Sequence, residues 1–102
     1  MTAEFAVALP AIALVLAATL ASVHAVALQV RLADAAADAA RALGRGDPVD
    51  AAAGIAGRQV PGAGLTIVDD GEFVCAILST RPGGVLAALE IRAESCAMRG
   101  GL

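Results

Sequence analysis

Few side chains in this sequence are equipped for chemistry, and they lie far apart. Glu4 is a lone carboxylate at the mouth of an uncharged run covering residues 5–30, in the string TAEFAVALPAIALVLAATLASVHAVALQV. His24, the single histidine, sits inside that run, one helical turn after Leu20 and one before Leu28. It has no carboxylate or thiol within a turn to make it a general base or a ligand. Cys75 and Cys96 lack the CxxC or Cys/His spacing of a metal site. Asp69, Asp70 and Glu72 crowd together in DDGE, but a calcium loop needs alternating oxygen ligands over about 12 residues, which this string does not provide. No nucleophile elbow, phosphate loop or paired catalytic carboxylate is present, and GAG and PGG read as turn glycines. The sequence therefore predicts no enzyme, no cofactor and no metal.

What remains is electrostatics at Glu4 and thiol oxidation at the cysteines. An ionised side chain in hydrocarbon costs at least ~2.5 kcal/mol, so Glu4 asks for a partner. The alternative, a carboxylate favouring the positive end of its own helix, is worth only ~0.3–1 kcal/mol. Cys75 and Cys96 fall on two expected neighbouring strands, and a bridge between them would close ~20 residues and stabilise the domain by about 3 kcal/mol on the chain-entropy model. The other readings are two separate thiols, or a buried Cys75 acting as a small hydrophobe.

The elements that position these groups follow from the hydrophobic pattern. As a helix, residues 5–30 would measure about 39 Å at ~1.5 Å per residue, enough to cross a ~30 Å hydrocarbon core with tilt. Alanines at 6, 8, 11, 13, 17, 18, 21, 25 and 27 also let neighbouring helices approach closely. His24, Gln29 and Arg31 mark the polar exit from the lipid. A cleavable signal peptide would need a basic head and a shorter apolar stretch, although Val23-His24-Ala25 could serve as its cleavage site.

Residues 31–43, RLADAAADAARAL, continue the helix in amphipathic form, so one helix is expected over residues 2–43, with Asp38 and Arg41 paired on its surface. Gly44 is expected to cap it, and Asp47-Pro48 to start a second helix over 48–57. Runs at 65–68 and 72–79 flank Asp69-Asp70-Gly71 as a hairpin, and 90–95 alternates as a third strand, whereas 85–89 is apolar and ambiguous. The expected fold is α+β: a long N-terminal hydrophobic helix leading into a small domain with a short second helix and a three-stranded antiparallel sheet packed on the helix's latter half. Residues 1–30 form the membrane and assembly half, and 31–102 the small extracytoplasmic domain.

Of 102 residues, 59% are hydrophobic, which exceeds the ~45–50% of soluble domains. A net charge of −3 and only two aromatics, Phe5 and Phe73, argue against nucleic acid as a partner.

The string TAEFAVALPAIALVL, in which Glu4 and Phe5 precede a short apolar spacer, Leu9-Pro10 and further aliphatics, resembles the head of TadE-like minor pilins of the tight-adherence (type IVc) pilus system, in their short actinobacterial form. The resemblance implies a structural subunit of pilus assembly, pilin-like in fold. Its partners would be other pilin subunits, the pilus assembly machinery and a prepilin peptidase, with the membrane as its seat. It also implies a single pass through the cytoplasmic membrane with the C-terminal domain outside, on a pilus or released. Glu4 would then pair with a neighbouring subunit's N-terminal ammonium and set insertion and register, with Phe5 and Pro10 in the same assembly segment. Pro10 removes a helical hydrogen bond and is expected to kink or loosen the helix. In that family Glu is the fifth mature residue after cleavage behind a glycine; here it is fourth, so one residue is expected before Met1 after processing. The alternative function is a single-pass anchored or secreted small binding module.

Overall fold

In the computed structural model, which describes residues 2–100, α1 (Thr2–Gly44) is one 43-residue helix. It is followed by α2 (Val49–Gln59), then β1 (Gly64–Asp69), β2 (Phe73–Thr80) and β3 (Ile91–Met98), with a single 3₁₀ turn at Gly84–Leu86. The strands form one antiparallel sheet in the order β1-β2-β3. This is the α+β architecture that the hydrophobic pattern predicts. The molecule is 69 Å long and less than 20 Å across, because α1 projects far beyond the domain built on its second half.

The end of α1 corrects the sequence reading. Gly44 is not the cap but the last helical residue, and the left-handed position is Gly46, at φ 93°. The Asp47 N–H donates to the Ala42 carbonyl at 3.0 Å and the Gly46 N–H to the Leu43 carbonyl at 3.0 Å, a Schellman closure. Gly44 is needed for a different reason: a Cβ there would stand 2.9 Å from the Met98 carbonyl oxygen and 3.1 Å from the Ala97 Cβ. Asp47 does not cap α2 either. Its Oδ2 accepts from Arg45 Nη2 at 3.0 Å, while Pro48 holds the cap position with its carbonyl accepting from Ala51 and Ala52.

The core is small and built largely of alanine. Leu32, Ala35 and Ala36 of α1 meet Ala56 and Val60 of the second-helix segment and Leu78 of β2; nearer the helix end, Ala39, Ala40 and Leu43 meet Ala52, Val74 and Ala76. Alanine at these positions lets α2 and the sheet close onto α1 without large side chains holding them apart. Inward residues alternate along β2 as Val74, Ala76 and Leu78, and along β3 as Ile91, Ala93, Ser95 and Ala97. A three-stranded sheet is marginal alone, and here α1 supplies the surface that buries its inner face.

β3 runs to Met98, beyond the expected end at residue 95, because its register pairs Met98 with Phe73 and Arg92 with Ser79. The ambiguous segment at 85–89 contains the end of the 3₁₀ turn and no strand.

Candidate functional site: the uncovered half of the long helix

Glu4 lies in the first turn of α1, fully on the surface, and among the described residues no salt bridge engages it. Around it the helix is bare. The most apolar 18-residue window of α1 has none of its residues buried, and Val7, Leu14 and Leu20 are each about 70% exposed. Helical periodicity sorts this surface into two adjoining stripes. Glu4, Ala8, Ala11, Val15, Ala18 and Ser22 recur at spacings of three and four, a narrow and mostly small-residue seam with the carboxylate at its head. Beside it run Phe5, Leu9, Ile12, Leu16, Leu20 and Val23, all bulky. Backbones can approach closely along the first stripe, while the second offers area to lipid or to a neighbour's groove.

Two hydroxyls on this half need no outside partner. Thr19 Oγ1 donates to the Val15 carbonyl at 2.8 Å and Ser22 Oγ to the Ala18 carbonyl at 2.8 Å, so both hydroxyls are satisfied within the helix. α1 continues through Pro10 without interruption; the ring's missing N–H leaves the Ala6 carbonyl without its usual donor. The expected loosening is thus confined to one hydrogen bond. Phe5 is 69% exposed, and His24 is exposed too.

Gln29 marks the change of surroundings. Its Nε2 donates to the Arg92 carbonyl at 3.0 Å, tying the helix to β3 where the domain begins. The sequence marks Gln29 as part of the lipid exit, while this bond joins residues far apart in the chain and follows only from the fold.

The sheet holds the second group of sequence-selected residues. Cys75 and Cys96 are direct cross-strand partners, Cα atoms 4.0 Å apart, and they form a disulfide on the outer face, away from α1. At the hairpin tip the acidic cluster is consumed by structure. Asp69 Oδ1 accepts from the Gly71 N–H at 2.9 Å and its Oδ2 from Arg99 Nε at 2.7 Å, while Asp70 Oδ1 accepts from Glu72 and Phe73 N–H groups. The Arg99 hydrogen bond, helped by that of Gly71, pulls the Asp69 carboxyl down from 3.8 to about 2. The Phe73 and then Glu72 N–H groups lower Asp70 as well. Arg41 Nη1 meets Asp38 Oδ1 at 3.1 Å as the spacing predicts, and Gln59 Nε2 adds an unforeseen bond to Asp38 Oδ2 at 2.7 Å. Among the described residues no group of three or more His, Cys, Asp or Glu is arranged to hold a metal ion.

The site and the disulfide are thus at opposite places: Glu4 at the free end of the rod, the bridge on the outer sheet face. No family model and no solved structure matches this chain. Among curated proteins, Apoptosis inhibitor Rv3655c of Mycobacterium tuberculosis is 44% identical over 93 residues, which cover 90% of this chain and 73% of that protein.

Proposed function

We propose that this chain, which belongs to the family of Apoptosis inhibitor Rv3655c, is a minor pilin-like subunit of the TadE type, because its apolar helix half stands uncovered with one acid at its head. On this reading it sits in the cytoplasmic membrane by its N-terminal helix, with the disulfide-bonded domain outside, and takes part in assembling a type IVc pilus. It acts as a structural subunit and catalyses nothing.

The observation that carries the reading is the seam from Glu4 through Ala8, Ala11, Val15, Ala18 and Ser22 on a helix that the domain leaves bare. An apolar medium penalises an unpaired carboxylate, and an unpaired ammonium at a neighbouring helix N-terminus is penalised equally; brought together, each relieves the other. Small side chains below Glu4 permit the approach that such a pairing requires. The partners are therefore other pilin subunits and the assembly machinery, with a prepilin peptidase acting first. The test is the mature N-terminus of protein from its native host, expressed with its upstream sequence. A start that leaves Glu4 near the fifth position supports the pilin reading. A start at or beyond residue 26 overturns it, because the helix would then be a discarded signal.

The second reading is a single-pass anchored or released module that contacts an envelope or host protein through its sheet. It requires that Glu4 be dispensable and that residues 31–102 alone carry the activity.

A further inference from the structure

The domain end where α1 emerges differs from the opposite end in charge. Residues 81–90, which connect β2 to β3, lie at the emergence end, because Thr80 pairs with Ile91 and the Arg92 carbonyl is held by Gln29. This connection is ordered: Arg81 Nη1 reaches the Ala87 and Ala88 carbonyls at 3.4 and 3.2 Å, and the Leu89 N–H donates to the Leu86 carbonyl at 3.0 Å. It presents Leu89, 54% exposed, beside Ala87 and Ala88. Around it stand Arg31, Arg81 and Arg92 against Glu90, with Asp34 one helical turn beyond Arg31 and Glu94 further along β3.

Among the described residues none of those three arginines enters a salt bridge. At the far end the balance reverses. Asp47, Asp50, Asp69, Asp70 and Glu72 gather there, and the arginines among them, Arg45 and Arg99, are already paired with Asp47 and Asp69.

We infer that the 81–90 connection, with Arg31 and Arg92, seats on the headgroups of an anionic membrane and fixes the height and rotation of the domain above it. The inference rests on the membrane-anchored reading of α1 and adds a second contact to it. Depth supports it: with Phe5 at one hydrocarbon boundary, a ~30 Å core ends about 20 residues later, near His24, at ~1.5 Å per residue. Gln29 is then roughly 7–8 Å beyond the boundary, at the outer edge of the ~5–7 Å headgroup layer, and helix tilt brings the connection lower. Cations unpaired within the protein meet anionic lipid there, Leu89 reaches the interface, and the acidic far end is held away from the same negative surface.

The chain contains no Trp or Tyr, so single tryptophans report without background. The full chain is reconstituted in phosphatidylcholine vesicles, with or without phosphatidylglycerol, in two sets, one brominated near the glycerol end of the acyl chains to read Leu89→Trp and Val68→Trp and one brominated near the acyl-chain end to read Leu14→Trp. Tryptophan is placed by Leu89→Trp, by Leu14→Trp in the helix, and by Val68→Trp on the outer sheet face. Leu14→Trp should be quenched in both lipids and Val68→Trp in neither. Leu89→Trp should be quenched more strongly with phosphatidylglycerol, and adding Arg92→Gln should weaken its docked state by roughly fivefold. Quenching at Leu14→Trp with Leu89→Trp as unquenched as Val68→Trp overturns the headgroup seat and leaves the anchor standing. Equal quenching of Leu89→Trp in both lipids, unaffected by Arg92→Gln, overturns the anionic partner. An unquenched Leu14→Trp overturns the anchored reading itself, and the seat with it.

Discussion

The two halves of α1 are parts of one continuous helix, both rich in alanine, yet they relate to the rest of the molecule in opposite ways. Up to residue 27 the helix carries its bulk outward, with Phe5, Leu9, Leu14, Leu16 and Leu20 all more than half exposed. From Leu28 onward the large residues turned to the domain are Leu28, Leu32 and Leu43, only Val30 stays more than half exposed, and the contacting positions become Ala35, Ala36, Ala39 and Ala40, each with 1% exposure or less. Small residues in the second half admit α2 and the sheet to close range, and the domain buries itself there. In the first half no described residue performs that service. On the proposed reading its apolar surface is covered, and Glu4 neutralised, from outside. Burial is thus allotted in the sequence by side-chain size as well as by polarity.

The largest expected effect tests that division at its head. Glu4→Ala should abolish incorporation into a fibre while leaving the protein in the membrane fraction, read by fractionation of cells and sheared surface material. Normal incorporation would sink the pilin reading. Next comes the same deletion made in each half. Leu32→Ala removes a fully buried side chain and should lower the domain's stability by about 2–5 kcal/mol, whereas Leu14→Ala should leave domain unfolding unchanged. Both are measured by circular dichroism of the full chain in one detergent. Equal losses would mean that the halves are not energetically separate.

The disulfide comes next in size. Replacing both cysteines with serine should cost about 3 kcal/mol on the chain-entropy model, since the bridge joins residues 21 apart. All of that loss should fall on the domain. Membrane association should be unchanged, because the bridge lies on the outer sheet face, remote from the bare half.

Two glycines sharpen the contrast further. Gly44→Ala gains up to ~1 kcal/mol of helix propensity but drives a methyl to 2.9 Å from a backbone carbonyl, and such overpacking costs ~1–3 kcal/mol. The contact should win, and the variant should be less stable. Gly57→Ala in α2 meets nothing within 4 Å and should stabilise by roughly 0.5–1 kcal/mol.

Those glycines also show where the sequence was legible. The long helix, the hairpin at Asp69-Asp70-Gly71 and the α+β layout could be read from local periodicity and turn chemistry, and the outcome matches. The role of Gly44 could not, because its neighbour Met98 is brought there only by the fold; a Gly at the end of a helical pattern looks like a cap whichever glycine performs it. The extension of β3 to Met98 has the same origin, a register set against Phe73. Of the candidate site, the seam below Glu4 follows from helical spacing alone. The Gln29 to Arg92 bond and the placement of residues 81–90 beside the emerging helix depend on strand topology, which no local pattern encodes.

The smallest effect is the most local, at the far tip of the domain. Asp69 is lowered from 3.8 to about 2 chiefly by its hydrogen bond from Arg99, with the Gly71 N–H second. A carboxylate whose folded value is depressed contributes stability that is fully present above its unfolded value and is lost as pH falls through the folded one. The tip should therefore be intact above about pH 4 and lose this contribution progressively as pH approaches 2. Both side chains are exposed, so the change belongs to the turn and leaves the domain folded. Its readout is the Gly71 amide resonance, which should titrate with a midpoint near 2 and shift upward toward 3.8 in Arg99→Gln. An unchanged midpoint in that variant would assign the depression to the turn's own N–H groups. The ion pair would then be a surface contact without influence, and the arginines at the two ends of the domain would differ less than their pairing suggests.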